Sequence, residues 1–278
     1  MRALAGLNEG TFDRYDELAS DGIDFEYARK GMVLAFRDPA KRDEVKAEID
    51  AVAALGACTY VTLDEGELAE MEPMLTAGFT AGLYVESDAH VRPETLTDGL
   101  AASLKARKVE VRENEPVTGF EWTGDRVTAI VTATSTILVD SVVLAAGAES
   151  GTLAAECGLA LPLTAGKGYS VTIDSPTNQL RRPLYLGEAK VGLTPFRGSL
   201  RMAGTMELSG INRRFDRRRV RAIRHAVARD VDIPEAESGG REWVGMRPMV
   251  PDTLPVIGKI PGRDNVFIST AHQMLGIT

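Results

Sequence analysis

The chain has 278 residues, with 40 acidic against 32 basic side chains and a formal charge of −8. An acidic balance excludes nucleic acid as a general ligand, because phosphate binding needs a basic surface, and no apolar run approaches the ~20 residues of a membrane helix. At 44% hydrophobic and 26% charged, the composition is that of a globular protein with apolar material for a sizeable core, so neither disulfides nor a structural metal is required.

Two cysteines, Cys58 and Cys157, match no metal or redox spacing and suit a reducing, cytoplasmic setting. Met1–Gly6 is followed at once by Asn8, Glu9 and Asp13, so no signal-peptide core is present. Residues 11–20 predict a helix, with Phe12, Tyr15 and Leu18 at helical spacing. Gly31 to Phe36 reads as an apolar strand and 43–55 as a helix with Val45, Ile49 and Val52 on one face. Asp64 and Glu67 have the spacing of a capping box ahead of Leu68 and Met71. Pro93 suits a first helical turn, and Leu96, Leu100 and Leu104 form an apolar stripe behind it.

Val109-Glu110-Val111 alternates as a strand, and 120–139 reads as a meander of hairpins. Ser141 to Gly147 predicts a short strand buried on both faces, as in a covered parallel sheet. Beyond Pro162 the chain turns β-rich, interrupted by a helix over 216–230 with Val220, Ile223 and Val227 inside. Seven arginines between 213 and 224 make the densest charge feature, and the apolar stripe opposite predicts a solvated outer face for them. Two textures that alternate along the chain point to two interleaved domains.

No Walker loop, no G-x-S-x-G elbow, no H-E-x-x-H helix and no G-x-G-x-x-G fingerprint occurs. The specific signal lies near the C-terminus. Trp243 to Gly258 reads W-x-G-x-R-P-x-x-P-D-x-x-P-x-I-G, and His272 to Thr278 reads H-x-x-x-G-x-T. Together these closely resemble the flavin-dependent D-amino-acid oxidoreductases, a family that takes in glycine oxidase, sarcosine oxidase and bacterial D-amino-acid dehydrogenase. Gly166 to Thr172 resembles the K-G-Y-S-L-T strand of the dehydrogenase branch, Ala203 to Glu207 its G-G-x-x-E strand, and Asp140 to Leu153 the strand and turn that approach the flavin.

The resemblance implies an α/β (α+β) fold of the D-amino-acid-oxidase type. A large mixed-sheet substrate domain would take residues 1–90 and 162–254, and a partial Rossmann-like FAD domain residues 91–161 and 255–278. It implies FAD as cofactor and an amino acid or small amine as substrate, oxidised by hydride transfer to an imino acid and then to a 2-oxo acid and ammonia. Arg247 resembles the family's carboxylate clamp. A guanidinium fork matches a planar carboxylate through two parallel charge-assisted hydrogen bonds, whereas the plainer reading pairs Arg247 with Asp252 or Glu242. Tyr169 is the second candidate catalytic residue, set against an ordinary core tyrosine.

Cofactor contacts are implied at Val117, Ala145, Ala146, Gly147 and Gly258. They are implied as well along His272, Gln273, Met274, Leu275, Gly276, Ile277 and Thr278, whose backbone amides would face the isoalloxazine pyrimidine edge and stabilise negative charge there. Relatives more often carry glycine where this chain has Ala271. The family's dinucleotide-binding βαβ unit has no counterpart in this sequence, so a fragment, or one subunit of a split oxidoreductase, is expected. A binding module without flavin is the rival from another class. The dehydrogenase branch further implies a quinone or membrane electron acceptor, with peripheral association at the inner membrane.

Overall fold

The computed structural model describes residues 2–277, in two compact units. One comprises Met1–Ser103, Gly168–Met206 and Arg214–Val244, the other Leu104–Lys167, Glu207–Arg213 and Gly245–Thr278.

Helices α1 (Arg2–Asn8) and α2 (Thr11–Ser20) precede strands β1 (Tyr27–Ala28) and β2 (Met32–Phe36). Helix α3 (Pro39–Ala53) begins four residues ahead of its apolar periodicity, because Asp38 caps it and Pro39 takes the first helical position. Strand β3 (Tyr60–Asp64) runs into α4 (Glu65–Met71), where the capping box forms with both side-chain-to-amide bonds at 2.9 Å. Then come β4 (Ala81–Val85), β5 (His90–Val91) and α5 (Pro93–Ala106). The meander is β6 (Val117–Thr123), β7 (Arg126–Thr132) and β8 (Thr136–Leu138), followed by β9 (Val142–Leu144) and α6 (Ser150–Glu156). The β-rich stretch supplies β10 (Thr164–Asp174), β11 (Leu184–Leu186), β12 (Val191–Phe196) and β13 (Ser199–Leu208). Helix α7 (Arg217–Asp230) and strands β14 (Arg241–Met249), β15 (Val256–Lys259) and β16 (Val266–Thr270) complete the chain.

The first unit is organised on an eight-stranded sheet of order β14-β10-β13-β12-β11-β2-β4-β3. It is mixed, with β11 parallel to β2 and β2 antiparallel to β4. The compact run of β2 shows why the sheet is apolar throughout. Val33 and Ala35 join the cluster that packs Leu184, Leu193 and Met202 against Val220, Ile223 and Val227 of α7. Leu34 and Phe36 point the other way, into a cluster with Leu83, Val85 and the α3 residues Val45 and Ile49. Both faces are covered, which is what a strand without polar alternation requires.

The second unit contains two three-stranded sheets, β6-β7-β8 and β15-β16-β9. Its core joins Val127, Val142, Leu144, Ile260, Val266 and Ile268 with Ala154 and Cys157. Here two expectations are corrected. Val109-Glu110-Val111 forms no strand, since no neighbouring strand pairs with it among the described residues, and both valines are exposed. The strand read over 141–147 is regular only at Val142–Leu144 and is covered on one face, with Val143 62% exposed. In α5, Leu96 is buried while Leu100 and Leu104 face solvent.

Candidate active site

In the second unit, β9 and β16 run parallel in the register Val142–Val266, Val143–Phe267 and Leu144–Ile268. Both strands therefore end at one edge. Ala145, Ala146 and Gly147 leave β9 there, and Ala271 and His272 leave β16. The carboxyl edge of parallel strands is where open α/β sheets take their ligands. Thr270 Oγ1 ties the two exits together by donating to the Gly147 carbonyl at 2.9 Å. Gly147 has φ 57° with open space where a Cβ would stand, so its backbone is approachable and a side chain there would be strained. Ala145 and Ala146 are exposed beside it.

The β16 exit is strained. Ala271 and Gln273 hold φ of 60° and 57°, a conformation costing a non-glycine residue about 1 kcal/mol or more. Hydrogen bonds enforce it: the Gln273 amide donates to the Pro248 carbonyl at 3.1 Å, its Nε2 to the Val250 carbonyl at 3.1 Å, and the Leu275 amide to the His272 carbonyl at 2.8 Å. Those bonds spend the amides of Gln273 and Leu275. The amides of His272, Met274 and Gly276 have no hydrogen-bond partner among the described residues. Alternate donors along a tight loop can therefore meet an electron-rich edge.

The bonds to Pro248 and Val250 also bring the loop to the segment that begins at Arg247. This arginine is half-buried, its Nη1 is shielded from solvent, and that nitrogen has no partner among the described residues. Burial alone pushes its guanidinium pKa down. Neither carboxylate suggested by the sequence takes it. Asp252 Oδ1 accepts from the Leu254 amide at 3.1 Å, and Glu242 pairs with Arg224 at 3.1 Å. A guanidinium keeps its charge, and a buried charge is costly until paired. The guanidinium therefore presents an unanswered fork, whose geometry matches that of a carboxylate.

The other sequence candidates lie in different surroundings. Gly258 is in β15 opposite Ile268 and is exposed. Leu275 is half-buried and Ile277 exposed, while Thr278 lies outside the described residues. Val117 opens β6, paired with Thr132 in the hairpin sheet. Tyr169 belongs to the first unit, where it is buried, its hydroxyl accepts from the Asp216 amide at 3.3 Å and its ring meets Phe215 edge-on at 5.5 Å.

Sequence reasoning missed Thr270, which joins the two strand exits, because a strand-end threonine carries no distinguishing pattern. It also missed the ion pair of Lys167, only 1% exposed, with Glu207 at 2.9 Å, reinforced by Asn212 Oδ1 at 3.0 Å. The signal was present: lysine and glutamate belong to the two β motifs quoted together above.

The sequence profile of the FAD dependent oxidoreductase family, DAO, matches residues 1–278. The chain is 33% identical to a D-amino acid dehydrogenase of Neisseria meningitidis over 286 aligned residues, covering 100% of this chain and 67% of that protein. A D-amino acid dehydrogenase of Paramagnetospirillum magneticum is 35% identical, over 93% of this chain and 58% of its own length. Among solved structures, glycine oxidase from Geobacillus kaustophilus superposes with a TM-score of 0.86 at 25% identity, covering 96% of this chain and 73% of the oxidase.

Proposed function

The chain belongs to the FAD dependent oxidoreductase family, and from that premise we propose that it binds the carboxylate of an amino acid through Arg247 and presents the substrate for oxidation. FAD is the cofactor of the family; bound here, it would supply a hydride acceptor for the substrate α-carbon, and the imino acid so formed would take up water to give a 2-oxo acid and ammonia. The observation that supports the reading is the shielded guanidinium of Arg247, left without a protein carboxylate.

Each further role belongs to a residue of this chain. Arg247 fixes the carboxylate and so orients the α-carbon. The amides of His272, Met274 and Gly276 are the donors that would stabilise negative charge on the flavin ring when it is bound. Gln273 locks that loop to the arginine segment. Gly147, with Ala145 and Ala146, leaves the strand edge open for a ring system. Tyr169, whose hydroxyl already receives the Asp216 amide, acts as a positioning residue. The relatives' printed names favour a dehydrogenase over an oxidase, and reduction of an artificial acceptor without oxygen uptake would match that.

Arg247→Ala in the flavin-loaded protein is expected to raise KM for amino acids about 100-fold, the worth of two charge-assisted bonds, with the flavin absorbance band unchanged. Arg247→Lys should recover part of the loss. An unaltered KM in Arg247→Ala would overturn the carboxylate assignment.

A second observation favours the split or incomplete enzyme. The outer face of the β15-β16-β9 sheet exposes Val143, Ile257 and Phe267, with Val143 and Phe267 directly paired. A parallel pair normally has both faces covered. We infer that further polypeptide covers this face and grips the nucleotide half of FAD. Residues 1–278 alone would then lose FAD on desalting, and a flavin band retained by this chain alone would overturn the inference.

A further inference from the structure

The eight-stranded sheet carries one glycine that its own packing does not require. In β11, β12 and β13, Leu184, Leu186, Val191, Leu193 and Met202 pack beneath α7. Alternation therefore turns Tyr185, Gly192 and Ala203 to the other face, where they stand side by side in the registers Tyr185–Gly192 and Gly192–Ala203. A Cβ added at Gly82 would come within 3.3 Å of Leu68, Leu34 and Leu63, and one at Gly204 within 3.4 Å of Lys190, Val191 and Ile223. Crowding dictates those two glycines. A Cβ at Gly192 would meet nothing nearer than the Ala203 carbonyl at 4.0 Å, and its φ lies outside the left-handed region.

A glycine inside a strand loses more chain entropy on folding than any other residue. One without a backbone or steric need marks a place where a ligand comes close. Apolar groups bound the space over Gly192. Ala203 extends its floor, and Tyr185 stands at one side, packed on the cluster beneath α3. Gly192, Ala203 and Tyr185 are all half-buried, so the hollow is open yet partly shielded from water. Next along this face Thr194 pairs with Arg201, whose guanidinium is already taken by Glu94 and by Thr172 Oγ1 at 3.1 Å. Lys190, in the turn before β12, is exposed, where solvent screens its charge.

We propose that Gly192 is a specificity-determining residue, and that the hollow over it receives a bulky apolar side chain of the substrate, an aromatic one above all. The inference rests on the amino-acid reading and deepens it: with the carboxylate assigned to Arg247, the side chain is what remains to be recognised. Gly192 belongs to the sheet whose strand β14 carries Arg247. A glycine floor gives a flat ring full contact, and the Tyr185 ring supplies an edge-to-face or offset partner. A charged side chain would give up water for a hollow that offers it no counter-ion.

The test is calorimetric binding of carboxylates that lack the α-amino group, and so have no amine to oxidise, with FAD in excess over the 278-residue chain. 3-Phenylpropanoate stands for phenylalanine, propanoate for alanine and glutarate for glutamate. The wild type should bind 3-phenylpropanoate about 30-fold more tightly than propanoate, and glutarate no better than propanoate. Gly192→Val should lower 3-phenylpropanoate affinity by about tenfold or more and shift propanoate by less than about threefold. Its stability to urea should be unchanged or raised, since valine suits a strand. Gly192→Ala should fall between. Wild-type protein that binds none of the three would overturn the amino-acid reading, and this inference with it. Binding that Arg247→Ala abolishes, but with equal affinity for the two monocarboxylates, would overturn the inference alone. So would glutarate bound most tightly or a Gly192→Val variant of unaltered preference. A Gly192→Val chain that no longer folds would do the same, because the fold itself would then demand the glycine.

Discussion

The two units bury their sheets differently. In the eight-stranded sheet of the first unit, one cluster lies beneath α7 and another beneath α3, so successive side chains of β2 find separate cores. In the β15-β16-β9 sheet of the second unit, Val142, Leu144 and Ile268 are buried, but the opposite face leaves Val143 62% and Ile257 60% exposed. A single fully apolar run therefore means different things in the two places: in β2 it records two neighbouring layers, and in β9 it records one layer present and one not supplied by the described residues. The unit with the open face also holds the free amides and the unpaired guanidinium, so incomplete packing and incomplete pairing fall together.

Truncations of similar chemistry should separate the two sheets. Leu184 is 1% exposed in the covered sheet, and Leu184→Ala is expected to destabilise this chain by about 3 kcal/mol through lost transfer energy and a residual cavity. Val143→Thr and Ile257→Thr on the open face should each change stability by less than about 0.5 kcal/mol and raise solubility by breaking an exposed apolar patch. Urea denaturation followed by circular dichroism measures both. A cost of about 2 kcal/mol for Val143→Thr would mean that the face is covered in solution, as by self-association, and the contrast would fail.

How much of this was legible in the sequence follows from the range of each interaction. The capping box at Asp64 and Glu67, the α7 stripe and the three-strand meander depend on residues a few positions apart, and each forms where its pattern predicts. Val109 to Val111 fails because alternation states which faces differ but not whether a partner strand exists. Arg247 was legible as a candidate through its motif, yet its freedom from Asp252 and Glu242 depends on the Leu254 amide and on Arg224, neither of which the motif contains. The Thr270 bond to Gly147 joins positions 123 residues apart, and no local pattern encodes it.

The smallest expected effect concerns how acid reaches the two units. In the first, burial holds the Glu72 carboxyl above its ordinary range, while Asp230, against the opposing pull of burial, is held below its own by Arg229 and Arg37. These two oppose one another: the raised group favours folding at low pH and loses that contribution as pH rises, and the lowered one does the reverse. In the second unit the shift at Glu115 is one-sided. Its Oε1 accepts from Ser135 Oγ at 2.5 Å, Thr132 Oγ1 at 2.8 Å and Thr134 Oγ1 at 3.0 Å, which pulls the carboxyl down to about 2. Stability from Glu115 is therefore full above its ordinary value of 4.5 and is lost as pH falls toward 2. Trp122 lies in this unit, and with Trp243→Phe it becomes the only tryptophan in the chain. Its fluorescence under urea should show stability falling from pH 5 to pH 3, and Glu115→Gln should flatten that fall. Equal slopes for glutamate and glutamine would mean that the three hydroxyls hold a turn whose folding does not depend on the charge they surround.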